Sequence, residues 1–187
     1  MSAGIIVLII VLVLLAMIIG WVISVQRNLV GLDEICKNAM SQIGVQQNSR
    51  WDALGALADM VKQYDDHEYN TLKDIIAQRT NIGTNSTAAE AEADENLITK
   101  AMSRFLAVAE AYPDLKANTN YQNLMDSIKQ YEENVRLARM SYNDTVTKYN
   151  RTIRMFPTSL IAGLLRFVER DYLETPDEKQ AMPDLKR

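Results

Sequence analysis

The chain carries one cysteine and one histidine in 187 residues. A single cysteine excludes an intramolecular disulfide and any cluster of cysteine ligands, and a single histidine excludes a His-rich metal site. Glycine (7) and proline (4) are scarce, which argues against disorder and against sheet folds rich in turns. An excess of basic charge is also missing. The 20 Lys and Arg stand against 24 Asp and Glu, a formal net charge of −4, so no electrostatic footprint for nucleic acid is present. Nothing alternates with period two for long enough to make a sheet. Before Arg27 there is no charged side chain at all.

That last absence belongs to the strongest local signal, "IIVLIIVLVLLAMIIGWVI" from Ile5 to Ile23. About 20 apolar residues are needed for a helix to cross ~30 Å of hydrocarbon, and this run is long enough. A cleaved signal peptide has a basic n-region, a shorter apolar core and a small-residue cleavage site; none of these is found here. Trp21 suits an aromatic anchor at the membrane interface. Residues 1–27 are therefore read as a single-pass transmembrane helix and its exit, with the lipid bilayer as a partner. Basic residues flank the run only on its C-terminal side, at Arg27 and Lys37. The positive-inside rule then places the N-terminus outside a bacterial cell membrane and the rest of the chain in the cytoplasm.

Beyond the span the apolar period is helical. Val25, Leu29, Leu32, Cys36, Ala39 and Ile43 form one seam. A second runs through Leu54, Leu57, Val61 and Tyr64 and resumes at Leu72, Ile75 and Ile82. Ile98, Ala101, Phe105, Val108 and Tyr112 make a third, and Tyr121 to Phe156 the fourth and longest. Each seam must be buried against others. The expected fold is all-α: the transmembrane helix continues into an antiparallel four-helix bundle of long, coiled-coil-like helices. The bundle spans residues 28–156, with helices at about 28–49, 52–82, 87–112 and 118–156. The turns are expected where the seams lapse. These are Gln47 to Asp52, with Asp52 as N-cap; "NIGTNST" (Asn81 to Thr87), with Gly83 closing a helix and Thr87 with Glu90 forming a capping box; and "YPDLKAN" (Tyr112 to Asn118).

Catalytic patterns are weak. "DHEYNT" contains His67-Glu68, but a zinc-binding H-E-x-x-H needs a second histidine at position 71, which is Thr. With a turn near residue 51, Cys36 and His67 would stand at about equal height, a thiol and an imidazole that could act as nucleophile and base. No third orienting residue, oxyanion donor or cleft accompanies them, and a buried cysteine is more often plain packing. His67 and Glu68 read better as a polar layer in the second seam. No E-x-x-H pair repeats as di-iron bundles require, and the methionines read as core filler. Asn-x-Ser/Thr sequons at Asn85, Asn143 and Asn150 matter only in a secretory compartment. The expectation is no enzyme, no metal, no cofactor and no small-molecule substrate.

"YPDLKAN" followed by "RLARMSYNDTVTKYNRTIRMFPTSLIAGLL" (Arg136 to Leu165), and earlier "LVGLDEICKNAMSQIGVQ" and "MVKQYDDHEYNTL", together resemble the LemA family. The resemblance covers nearly the whole chain, including the span. Gly44 stands where the family usually has an acidic residue, and "SRWDALGAL" lacks the proline common there. The resemblance implies a membrane-anchored antiparallel helical bundle without established catalytic activity. It also suggests as partner an HtpX-type membrane zinc peptidase, beside which such proteins are often encoded.

Two surfaces are candidate partner contacts. Tyr112, Pro113, Asp114, Leu115 and Lys116 form an exposed turn at the membrane-distal tip. From Asn118 to Phe156 the fourth helix would run about 57 Å against about 30 Å for the first outside the membrane, so it would reach back past the membrane exit. Residues 157–173 follow, with Leu160, Ile161, Leu164, Leu165 and Phe167 as an apolar membrane-proximal face too large to leave in water. Residues 174–187 read as a polar, flexible tail. The function expected is a scaffold that forms a homo-oligomer and organises a membrane protein complex. The alternative is an adaptor or sensor that regulates a membrane zinc peptidase in protein quality control.

Overall fold

A computed structural model describes residues 3–174, and the expected 174–187 tail falls almost wholly outside them. The described residues are helical and contain no strand: α1 (Ala3–Val61), α2 (Asp66–Ile76), α3 (Ala88–Ala111), α4 (Pro113–Ala117), α5 (Thr119–Arg154) and α6 (Thr158–Leu164). They divide into two compact units. One takes the chain up to Cys36 with Asp144–Arg170, the other Lys37–Asn143 with the described residues from Asp171.

α1 is one unbroken helix of 59 residues, which corrects the turn expected at Gln47 to Asp52. The apolar seam lapses there because Gln47 and Arg50 point into the core and carry polar groups with them. Both are buried, at 1% and 3% exposure, and both bond to α3. Asp52 is an exposed residue inside α1 that meets Arg79 at 3.4 Å and caps nothing. The chain turns later, after Val61. There Asp65 is the N-cap of α2, its carboxylate accepting from the backbone N–H groups of His67 (2.8 Å) and Glu68 (3.0 Å). The helix expected over 52–82 is thus the end of α1, a turn, α2 and an irregular run that carries Ile82 into the core.

Ile82 explains Gly44. A Cβ on Gly44 would stand 1.9 Å from the Ile82 carbonyl oxygen and 2.7 Å from its carbon, so only glycine lets that backbone cross α1 so closely. Gly83, by contrast, closes no helix: no glycine has positive φ, and its N–H donates to Ser86 Oγ at 3.1 Å. The capping box is present as expected, with Glu90 N–H donating to Thr87 Oγ1 (3.2 Å) and Thr87 N–H to Glu90 Oε2 (2.8 Å). "YPDLKAN" is the connection between α3 and α5. Pro113 occupies the first turn of the short α4, where its missing N–H costs nothing. Asn118 Oδ1 then accepts from Asn120 N–H at 2.8 Å.

The core of the second unit draws on every element within it. Trp51, Leu54, Leu57 and Val61 of α1 join Leu72 and Ile75 of α2, Ile98, Phe105 and Val108 of α3, Leu115 of α4, and Tyr121 and Ile128 of α5. Full burial of a side chain of this size contributes about 1.5–3 kcal/mol, so these residues dominate the unit's stability. In the first unit Leu29, Cys36, Val146, Tyr149 and Ile153 are buried, while the apolar residues from Ile5 to Trp21 face outward.

Candidate functional site

The tip residues are less available than their sequence suggests. Tyr112 Oη donates to Asp65 Oδ2 at 2.9 Å, and its ring packs against Tyr64 with centroids 5.9 Å apart. Asp65 therefore caps α2 with one oxygen and holds the α3–α4 junction with the other. The Glu68 N–H bond and then the Tyr112 hydroxyl hold the Asp65 carboxyl below its ordinary range, and the same contact raises the phenol of Tyr112. Leu115 is fully buried in the core and cannot touch a partner, which corrects its placement as a contact residue. Pro113, Asp114 and Lys116 remain exposed.

The segment after α5 is divided in the same way. Ile161 and Ala162 are buried, Phe167 is half-buried, and Leu160, Leu164 and Leu165 are exposed, as are Met155, Phe156 and Val168. Ile161 is therefore core rather than surface. α6 ends with Phe167 N–H donating to Ala162 O (2.9 Å) and Arg166 N–H to Gly163 O (3.2 Å). This Schellman closure puts Arg166 in the left-handed region, at φ 60°.

The chain after α6 is tied down by a device the sequence reading missed. In the first unit, the Asn150 side-chain amide donates to Arg170 O (2.8 Å) and accepts from Arg170 N–H (2.9 Å), while Tyr149 Oη donates to Val168 O (2.9 Å). Arg170 in turn reaches Asp33 of α1 at 2.6 and 3.0 Å. In the second unit the pattern repeats seven residues earlier on α5. Asn143 exchanges two bonds with Leu173 (both 2.9 Å), and Tyr142 Oη donates to Asp171 O (3.1 Å). The signal was present in "SYNDTVTKYN", a Tyr-Asn pair repeated after seven residues. It was read instead as two glycosylation sequons.

The second missed feature is the polar layer in the core of the second unit. Asp94 is fully buried and accepts from Trp51 Nε1–H (3.1 and 3.0 Å) and from Thr80 N–H (2.9 Å). Burial pushes its carboxyl above the ordinary range, against those bonds. Beside it Arg50 donates from one terminal nitrogen to both carboxylate oxygens of Glu95, at 2.7 and 2.8 Å, and Gln47 donates to Ala91 O at 3.1 Å. These groups lock α1 to α3. Most of their polar atoms are partnered within the layer or by Thr80, while Gln47 Oε1 and Arg50 Nε are buried without a hydrogen-bond partner. The bonds between α1 and α3 give the layer a structural role.

Cys36 and His67 do not form the imagined pair. Equal height for the two requires a turn near residue 51, and α1 runs straight through that position. Cys36 is buried against Thr145, and burial raises its thiol above the ordinary value, the opposite of an activated nucleophile. His67 is exposed at the start of α2, and Glu68 pairs with Arg104 (2.7 Å from Arg104 Nε), so the two are not a buried layer. Among the described residues no three His, Cys, Asp or Glu side chains converge on a metal-sized site.

A helical protein with one long, outward-facing apolar N-terminal helix and a packed polar-layered core is the class these features define. Residues 39–186 match the LemA family, and the chain belongs to it. Curated relatives include Magnetosome protein MamQ 2 and Magnetosome protein MamQ 1 of Paramagnetospirillum magneticum strain AMB-1. Each is 28% identical over 74 residues, which is 40% of this chain and 27% of the relative. The match thus spans about a quarter of those proteins' length.

Proposed function

We propose that the chain is a non-enzymatic, membrane-anchored scaffold. Its N-terminal helix crosses a bacterial membrane once, N-terminus outside, and carries a cytoplasmic antiparallel four-helix bundle that self-associates and organises a membrane protein complex. The observation that carries this reading is α1 itself. Its first turns expose nothing but apolar side chains, and residues further along the same helix are buried in the core of the second unit. Val45, Leu137 and Met140 add exposed apolar surface on the body, suited to contact between copies. Relatives named as magnetosome proteins are in keeping with a role in membrane organisation.

Extraction of the full chain into detergent, followed by mass measurement, tests the proposal. A protein mass that is a multiple of 21.2 kDa without other components supports the scaffold. A monomer at every concentration overturns it. A small species that co-purifies a membrane zinc peptidase replaces it with the adaptor reading raised by the family resemblance.

A further inference from the structure

Met155, Phe156, Leu160, Leu164, Leu165 and Val168 are all exposed, Phe156 at 79% and Leu164 at 77%. They belong to an ordered element, because Ile153 just before them and Ile161 and Ala162 among them are buried, and both ends of the segment are hydrogen-bonded. An apolar face of this size on a folded element calls for a cover.

Its position within the first unit says what covers it. Cys36 of α1 bonds Thr145 of α5. Three residues earlier on α1, Asp33 pairs with Arg170, which Asn150 holds. A step back along α1 toward the apolar run is thus a step forward along α5. With the same rise per residue on both helices, Leu29 comes level with Ile153, and residues 22–25 come level with the chain that enters α6. Burial along α1 agrees: Leu29 is fully buried and Val22 and Val25 are half-buried, whereas Ile5 to Trp21 are exposed. The patch therefore stands where the apolar run ends. Arg27, Arg151, Arg154 and Arg166, all exposed, belong to the same unit.

We propose that this patch is a second membrane contact, seated in the headgroup–acyl boundary of the same bilayer that α1 crosses, with the four arginines at the level of the lipid phosphates. The proposal rests on the reading of α1 as a span. Its test separates the two.

The full chain with Cys36→Ala is labelled with one fluorophore at Ile9→Cys, Leu160→Cys, Leu164→Cys or Lys129→Cys, and reconstituted in vesicles of phosphatidylcholine and phosphatidylglycerol. Quenching is compared between lipids carrying a nitroxide deep or shallow in the acyl chain and iodide in the water. Position 9 should respond to the deep nitroxide, and positions 160 and 164 to the shallow one. Iodide should quench positions 160 and 164 several-fold less than position 129. Iodide quenching at 160 and 164 equal to that at 129 overturns the proposal while leaving the span intact. So does shielding from lipid and iodide alike, which would mean protein covers the patch. Loss of the lipid response at position 9 overturns the span and the proposal together.

Discussion

Asp94 sets a pH dependence of definite sign. Its folded-state pKa is raised by burial, so the folded chain binds its proton more tightly than the unfolded chain. The resulting stability is complete below the ordinary carboxylate pKa and is lost as pH rises from there through the raised folded value. Asp65 runs the other way. Its pKa is lowered, so its contribution is present above the ordinary carboxylate value and lost as pH falls through the lowered one. Thermal melts of Asp94→Asn in detergent should lose the decline with rising pH, and those of Asp65→Asn should lose the decline at the acid end. Asp94→Ala is harsher, because it strands the Trp51 and Thr80 N–H donors. Each unsatisfied donor costs about 1–3 kcal/mol, so a total of about 2–6 kcal/mol is expected from denaturant midpoints.

Gly44 is a second test at this scale. Alanine in a helix interior is worth about 1 kcal/mol over glycine, which alone predicts stabilisation. The Ile82 carbonyl 1.9 Å from the new Cβ belongs to backbone and cannot swing aside. Overpacking of this kind costs about 1–3 kcal/mol, so Gly44→Ala should lower the melting temperature. A rise would show that the 77–87 connection yields freely.

At the scale of elements, the seams were legible, as were the breaks before α3 and between α3 and α5, but the break expected at Gln47 to Asp52 was not a break. Leu29, Cys36, Ile43, Ile98, Phe105, Ile128 and Val146 are all buried as the 3.6-residue period requires. A lapse in that period has two causes, a turn or a buried polar layer, and periodicity alone cannot separate them. At Gln47 and Arg50 it was the layer, legible only once Asp94 and Glu95 on α3 supplied the partners. Removing one side of the Arg50–Glu95 pair leaves the other charge buried and should cost about 3–5 kcal/mol, while replacing both with methionine should cost far less. The four denaturant midpoints of that cycle measure the difference. The chain after α6 was opaque for another reason. It has no period of its own and is held through backbone groups by Asn143 and Asn150. Asn150→Ala should accelerate amide hydrogen exchange at Arg170 without changing exchange in α3. Unchanged protection at Arg170 would mean that the Asp33 contact holds it alone.

At the scale of the whole molecule, the proposed orientation rests on where cations gather. Counted along the sequence near the apolar run, only Arg27 and Lys37 favour a cytoplasmic exit, and nothing basic precedes the run. The fold changes that count, because Arg151, Arg154 and Arg166 belong to the same unit as the end of the run although they lie more than a hundred residues away in sequence. Glu169, 3.7 Å from Arg154, offsets one of them. A basic residue at an anionic cytoplasmic leaflet contributes about 1 kcal/mol, so under the proposed orientation the gathered cations would add to the bias of Arg27 and Lys37. The expected excess of the last long helix over the first is not found. Outside the run α1 extends from Asn28 to Val61, and α5 from Thr119 to Arg154, so the two are nearly equal at roughly 50 Å. Under the proposal it is register, rather than excess length, that brings the last apolar segment level with the end of the run. A tag placed before Ser2 should therefore be reached by antibody on intact cells, and a tag after Arg187 only after permeabilisation. The reverse pattern would move the body to the cell exterior and remove the arginines from any role in orientation. Arg151→Gln with Arg154→Gln and Arg166→Gln should raise the fraction of inverted molecules in the same assay, and an unchanged fraction would show that Arg27 and Lys37 set orientation alone.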